Sequence, residues 1–358
     1  MRFGKADLER PVHGGINLSE LKTLGLQVED IIDFSANINP LGVSPAVKRA
    51  MAEMDVASYP DPDCNELRQV LSRITGVAIE NIIIGNGSTE LVHLVARACL
   101  VEGGCAVILT PTFGEYELAC HLVAVTPLLI RAREADNFHW NIADVCQKLA
   151  KIKPQLVFLC NPNNPTGLYL DMDAMRQIAR ATAPGVLVID EAYLPFVDNP
   201  CDSTNLLKMD NVALLHSMTK DHALAGLRLG YAMAPVELIN KLKLCQPFWS
   251  VNIAAQVAGV AALSDQKHLI KSRKLITEAK EYLYTALKEL GFEALPSSTD
   301  FLLIKVSSAA TVRLKLLQRG LCVRDCTSFG LPQYIRVSVR ALPDCQRLIS
   351  GLKEVCHG

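Results

Sequence analysis

The chain has no surplus of either charge. Its 36 Lys and Arg stand against 37 Asp and Glu, a formal net of −1. No basic tract and no acidic tail interrupt that balance, so nucleic acid is not the expected partner and no charged, disordered segment is expected. No C-x-x-C pair occurs among the 12 cysteines. The nearest approach to a metal pattern is Cys322 and Cys326 in "CVRDC", without further ligands around it. The cysteines therefore read as reduced, buried small hydrophobes of a cytoplasmic protein, and no metal site is expected. The first residues, "MRFGKADLERPVHGG", are charged and lack an apolar h-region, so no secretory leader is expected. No stretch reaches the roughly 18 uninterrupted apolar residues that a membrane helix needs. Internal repeats and low-complexity linkers are missing as well.

What remains is a 358-residue chain, half of it hydrophobic, which exceeds a usual single core. Short apolar runs alternate with longer helical patterns. The runs are "NIIIG" (81–85), "AVILT" (106–110), "PLLIRA" (127–132), "LVFLC" (156–160), "VLVID" (186–190), "VALLH" (212–216) and "LGYAM" (229–233). They are rich in Val, Ile and Leu and bounded by Gly, Pro or polar residues, which predicts strands buried on both faces of a mostly parallel sheet. Between them, "STELVHLVARACLV" spaces Leu91, Leu94, Val95 and Ala98 as an amphipathic helix does. The alternation predicts an α/β fold with a seven-stranded sheet in a large domain over 46–245. Residues 246–358 read as a smaller α+β domain: a long helical region to about Leu290, strands in "FLLIKV", "LCV" and "YIRVSV", and a closing helix. The first 45 residues carry few periodic signals and are expected to wrap across the surface.

In an open α/β sheet, ligands bind at the carboxyl ends of the strands. Four such ends carry chemistry here. "GNGSTE" offers free backbone N–H groups and a helix dipole to a phosphate, although Gly-rich turns of this kind are common. "NPNNPTG" (161–167) is at least a rigid turn, and its prolines also fix Asn donors. "DEAY" ends an apolar strand on Asp190, a carboxylate that is costly to bury without a cation or donor. "SMTKDHALAGLRLGY" places Lys220 just past a buried strand, with hydroxyls before it and Arg228 eight residues on. Phosphate cradle, carboxylate, Asn, Tyr and lysine together form the set that pyridoxal phosphate requires: a lysine for its aldehyde, a carboxylate for its ring nitrogen, donors for its phenolic oxygen.

These motifs resemble the signature of the class I/II aminotransferase-like enzymes of fold type I, over essentially the whole chain. The resemblance implies that Lys220 carries the cofactor and that Asp190 pairs with its ring nitrogen. It gives Asn164 and Tyr193 the phenolic oxygen. Gly87, Ser88, Thr89, Ser217, Thr219 and Arg228 take the phosphate, and Phe113 of "PTFGEY" stacks on the ring. Tyr59 reaches the cofactor of a neighbouring subunit, so a homodimer with shared active sites is implied. Arg324 and Arg336 bind substrate together with Asn164, and His13 and Asn37 bind its phosphate. "HGG", "DFSANINPLG", "YPDPD" and "WSVN" resemble threonine-phosphate decarboxylases more than the related histidinol-phosphate aminotransferases. The expectation is therefore a lyase that decarboxylates O-phospho-L-threonine, or phosphoserine, to an amino-alcohol phosphate for cobalamin synthesis, with amino transfer as the alternative. The chain departs from that pattern in two places: "HGGIN" has one residue more than the decarboxylases' "HGGN", and the Asn usual before the "FLLI" strand is Asp300.

Overall fold

The computed structural model describes residues 10–356; the first nine residues of the N-terminal arm and the last two of the chain lie outside it. Twelve strands occur: β1 Ile32–Asp33, β2 Ile82–Asn86, β3 Ala106–Thr110, β4 Leu128–Arg131, β5 Leu156–Cys160, β6 Val186–Asp190, β7 Val212–Ser217, β8 Leu229–Met233, β9 Phe301–Lys305, β10 Leu321–Cys322, β11 Arg324–Asp325 and β12 Tyr334–Ser338. Seven of them form one sheet in the order β2-β8-β7-β6-β5-β3-β4. The apolar runs predict all seven. β8 alone runs against its neighbours, pairing antiparallel with both β2 and β7.

The uninterrupted apolar character of the central strands has a direct cause in packing. Alternate side chains of one strand enter two different cores. Val157, Leu187 and Leu214 join the core on one face, whereas Phe158, Val188 and Leu215 join that on the other. The edge strand β4 departs from the expectation of double burial, since Leu128 is exposed and Ile130 is its one buried residue. An edge strand has only one neighbour to shield it.

The second sheet has the order β11-β12-β9, and its core contains Phe301, Ile304, Ile335 and Val337. The helical region before it is two helices, Ile253–Ser264 and Gln266–Glu289, and Leu342–Cys356 closes the fold. Two expectations need correction. The run "LCV" forms the strand β10, but it pairs in parallel with β1 of the N-terminal arm and not with the small sheet, whose edge is the next strand, β11. Nor does the arm simply wrap across the surface. Phe34 is fully buried in the small-sheet core, and Ser338 N donates to its carbonyl at 2.8 Å. Two residues of strand are too few to register as a periodic signal.

No helix among the described residues is long and apolar enough to cross a membrane. Among those residues no group of three or more His, Cys, Asp or Glu side chains is placed to hold a metal ion.

Candidate active site

A cavity of about 940 Å³ opens over the carboxyl ends of β2, β5, β6 and β7. Each of these ends delivers a side chain for a local reason. β6 runs apolar to its last residue and there presents Asp190, in register with Cys160 of β5. Asp190 is buried, and its two oxygens are both taken up: Tyr116 Oη donates to Oδ2 at 2.7 Å and Ala192 N to Oδ1 at 3.0 Å. Burial raises its pKa, and the Tyr116 and Ala192 hydrogen bonds and the positive charge of Lys220 oppose the rise.

Lys220 follows β7 on the turn that Asn39 N caps by donating to the Lys220 carbonyl at 3.0 Å. Its amine looks into the cavity, with Nζ 6.0 Å from the Tyr193 ring centre. Enclosure by protein, then repulsion from Arg336, draws its pKa down to about 8. An amine with that proton affinity exists partly in its nucleophilic, neutral form near pH 8.

The helix Gly87–Cys99 starts directly at the end of β2, so its free N–H groups face the cavity. Two glycines make this junction possible. A Cβ on Gly230 would stand 2.5 Å from Ser88 N, and one on Gly87, whose φ is +79°, would stand 2.8 Å from Arg228 Nη2. Ser88, Thr89, Ser217, Thr219 and Arg228 thus converge on one corner, with the Ser217 and Thr219 hydroxyls 2.7 Å apart. Helix dipole, hydroxyls and guanidinium there form a dianion cradle.

At the opposite wall stand the two buried arginines. Arg336 reaches from β12 and donates to Asn164 Oδ1 through Nη1 and to the Ser35 carbonyl at 2.8 Å, leaving its buried Nε without a partner. Arg324 donates at 2.6 Å to both the Val12 carbonyl and Ser328 Oγ. Asn37 Nδ2 donates to Tyr193 Oη at 3.0 Å, while Asn37 Oδ1 is buried and unpartnered. These open hydrogen-bonding positions, the anion cradle, the carboxylate and the buried amine match what pyridoxal phosphate and an anionic substrate require.

The cavity gathers nearly all the residues that sequence motifs single out. Tyr59 lies elsewhere: it is 79 % exposed and stacks on Trp249 at 4.5 Å. Three contributors escape the motif reading. Tyr116 stands three residues beyond Phe113 in the same "PTFGEY", on a helix whose first turn carries it under the cavity to Asp190. Ser35 contributes its carbonyl to Arg336 and its hydroxyl to Gly15 N at 2.7 Å. Glu115, also buried, joins two histidines, His13 at 2.6 Å and His93 at 3.0 Å. "PTFGEY" itself contained the signal for Tyr116 and Glu115, but nothing in it tells which side chain turns inward.

Residues 29–352 match the family model for aminotransferase class I and II. The chain belongs to this family. It is a pyridoxal-phosphate enzyme of fold type I. A histidinol-phosphate aminotransferase of Moorella thermoacetica is 35 % identical over 338 residues, covering 92 % of this chain and 86 % of the relative. Other histidinol-phosphate aminotransferases are between 31 % and 36 % identical. Among solved structures, the histidinol-phosphate aminotransferase of Sinorhizobium meliloti in complex with pyridoxal-5'-phosphate superposes with a TM-score of 0.86 at 23 % identity, covering 94 % of this chain and 93 % of that one. The L-threonine-O-3-phosphate decarboxylase of Porphyromonas gingivalis superposes at 0.78, with 23 % identity and 90 % and 98 % coverage, which is a likeness of fold.

These comparisons overturn the expectation of phosphothreonine decarboxylation. Relatives matched over nearly the whole chain at 31–36 % identity are aminotransferases, whereas the decarboxylase likeness rests on fold and a few short motifs. The motifs misled because "HGG" and "DFSANINPLG" build an arm whose tertiary contacts a short motif does not encode. His13 is engaged by the Glu115 carboxylate, and Asn37 by Tyr193.

Proposed function

We propose that the protein is an aminotransferase that moves the amino group of a phosphorylated amino compound, histidinol phosphate, to a 2-oxo acid. The observation that carries this reading is the match to histidinol-phosphate aminotransferases at 31–36 % identity, extending over 88–96 % of the chain. The cavity chemistry supports it, because a phosphate-bearing donor and a dicarboxylate acceptor are both anions and one pair of buried arginines serves both.

Pyridoxal phosphate, when bound, supplies the electron sink that lets a bond at the substrate's α-carbon break. The chain's residues do the rest. Gly87, Ser88, Thr89, Ser217, Thr219 and Arg228 hold the cofactor phosphate. Asp190, kept in place by Tyr116, keeps a proton on the ring nitrogen. Asn164 and Tyr193 face the phenolic oxygen, and Phe113 covers the ring. Lys220 Nζ holds the cofactor and, with its lowered proton affinity, takes up and returns a proton beside the α-carbon. Arg324 and Arg336, with the open Asn37 Oδ1 and the His13 ring that Glu115 holds, would orient the substrate so that the α C–H bond is the one broken, as amino transfer requires.

In this reading residues 1–45 are the substrate arm, 46–245 the cofactor domain and 246–358 the small domain. The active unit is a homodimer: Tyr59, stacked on Trp249 beside the 77 % exposed Phe248, forms an aromatic surface that a second copy covers.

The test incubates the pure holoenzyme with histidinol phosphate and 2-oxoglutarate and follows glutamate. Glutamate formation is expected, and dephosphorylated histidinol should be a much poorer donor. No glutamate from histidinol phosphate refutes the reading. Borohydride reduction and peptide mapping should place the pyridoxyl mass on Lys220; a label on another lysine removes Lys220 from its role.

A further inference from the structure

Asp300 stands at the head of β9, where Val339 N donates to its carbonyl at 2.6 Å. The residue is 1 % exposed, and both carboxylate oxygens are buried without a hydrogen-bond partner. A bare buried carboxylate is costly unless cations surround it. The strand that follows packs behind two residues of the cavity wall. Phe301 meets the Tyr193 ring edge-on at 5.0 Å, and the Arg336 guanidinium lies 5.1 Å from the Phe301 ring centre.

The charges around Asp300 come from three elements. The cations are Lys220 on the turn after β7, whose Nζ stands 6.0 Å from the Tyr193 ring that meets Phe301, Arg336 on β12 and Lys280 on the helix Gln266–Glu289. Lys280 is already committed, with Nζ donating to the Ser297 and Thr299 carbonyls at 3.1 Å. Tyr193, from the turn after β6, also faces Asp300. Lys220 for its part stands among Arg336 and Arg228, which disfavour its charge, and Asp300 and Asp190, which favour it. Asp190 is bound on both oxygens by Tyr116 and Ala192, so the carboxylate of this group without a hydrogen-bond partner is Asp300.

We propose that Asp300 is a positioning residue, the counter-charge that keeps the proton on the Lys220 nitrogen against the repulsion of Arg336 and Arg228. Burial raises the Asp300 pKa to about 6, which leaves it an anion through the neutral and alkaline range in which Lys220 titrates. The inference rests on Lys220 being the cofactor lysine, and not on the identity of the substrate.

The test is a substrate-free absorbance titration of the holoenzyme between pH 5 and pH 10, because the visible band of the bound cofactor follows the proton on the nitrogen that joins it to Lys220. Removing the anion makes that proton easier to lose. Asp300→Asn should therefore move the midpoint down by about one pH unit, as expected for a charge several ångströms away in a partly screened interior. Asp300→Glu, which keeps the charge, should stay closer to the wild type. Should Asp300→Asn not fold, Asp300→Ser carries the same expectation. A folded neutral variant whose midpoint is unmoved or raised overturns the proposal. Failure of amino transfer from histidinol phosphate would leave it standing, whereas a borohydride label away from Lys220 would overturn it together with the cofactor assignment.

Discussion

Tyr116 and Asp190 form a buried pair, the phenol donating to the carboxylate at 2.7 Å while the Tyr116 ring stacks on Phe158 at 4.9 Å and 5°. The stack fixes the ring, and the ring fixes the carboxylate. Asp190 is therefore held on one oxygen by a packed phenol and on the other by Ala192 N.

Two substitutions separate charge from placement. Asp190→Asn keeps the shape but loses the anion beside the ring nitrogen, and most turnover is expected to vanish while the fold remains. Tyr116→Phe keeps the stack and removes one hydrogen bond to a charged group, worth about 1.5–3 kcal/mol. If about half of that is lost from the transition state, turnover falls about four- to tenfold. Steady-state rates with circular dichroism as a control decide the order, and a Tyr116→Phe enzyme at wild-type rate excludes the positioning role.

Gly87→Ala tests the phosphate corner. The backbone at φ +79° disfavours any side chain, and the new Cβ would press on Arg228 Nη2 from 2.8 Å. The cost to the fold should be about 1–2 kcal/mol. Cofactor should leave the variant about tenfold faster, the equivalent of about 1.4 kcal/mol of lost binding. Dialysis against cofactor-free buffer, followed by absorbance, measures this; equal retention in both proteins removes Arg228 from the cradle.

Acid should release the arm from Glu115. The His13 hydrogen bond, then that of His93, holds the Glu115 carboxyl down at about 2 against the opposing effect of burial. Its folded pKa lies below the unfolded value of about 4.3, so its stabilising contribution is complete above that value and is lost as the pH falls towards 2. The melting temperature of the wild type should therefore fall more steeply over this interval than that of Glu115→Gln. Parallel melting curves for the two proteins would contradict the assignment.

The elements of the large sheet were legible because each central strand is buried on both faces and so is written as an unbroken apolar run. The side chains that meet at the cavity were legible because each stands close behind such a run: Asp190 after "VLVI", Lys220 four residues after "VALLH". The reversal of β8 was not, since the same run "LGYAM" serves either direction. The pairing of Ile32 with Leu321 joins residues far apart in the chain over a two-residue strand, and no local pattern encodes it. The substrate reading failed for a related reason. Short arm motifs carry composition alone, whereas the contacts of their residues, Glu115 with His13 and Tyr193 with Asn37, depend on tertiary placement.

The arm between Ser35 and Asn39 acts as a cord tied at both ends. At one end its strand β1 is laced to β10, and the Ser35 carbonyl is grasped by Arg336. At the other, Asn39 bonds the backbone carbonyls of Lys220 at 3.0 Å and Asp221 at 2.7 Å, with Asn37 fastened to Tyr193 between them. A shift of the small sheet against the large one cannot leave this cord unmoved: it would draw on the Lys220 turn and on the Tyr193 hydroxyl together. The contacts of Arg336 and of the Lys220 turn are thus joined through five residues of chain.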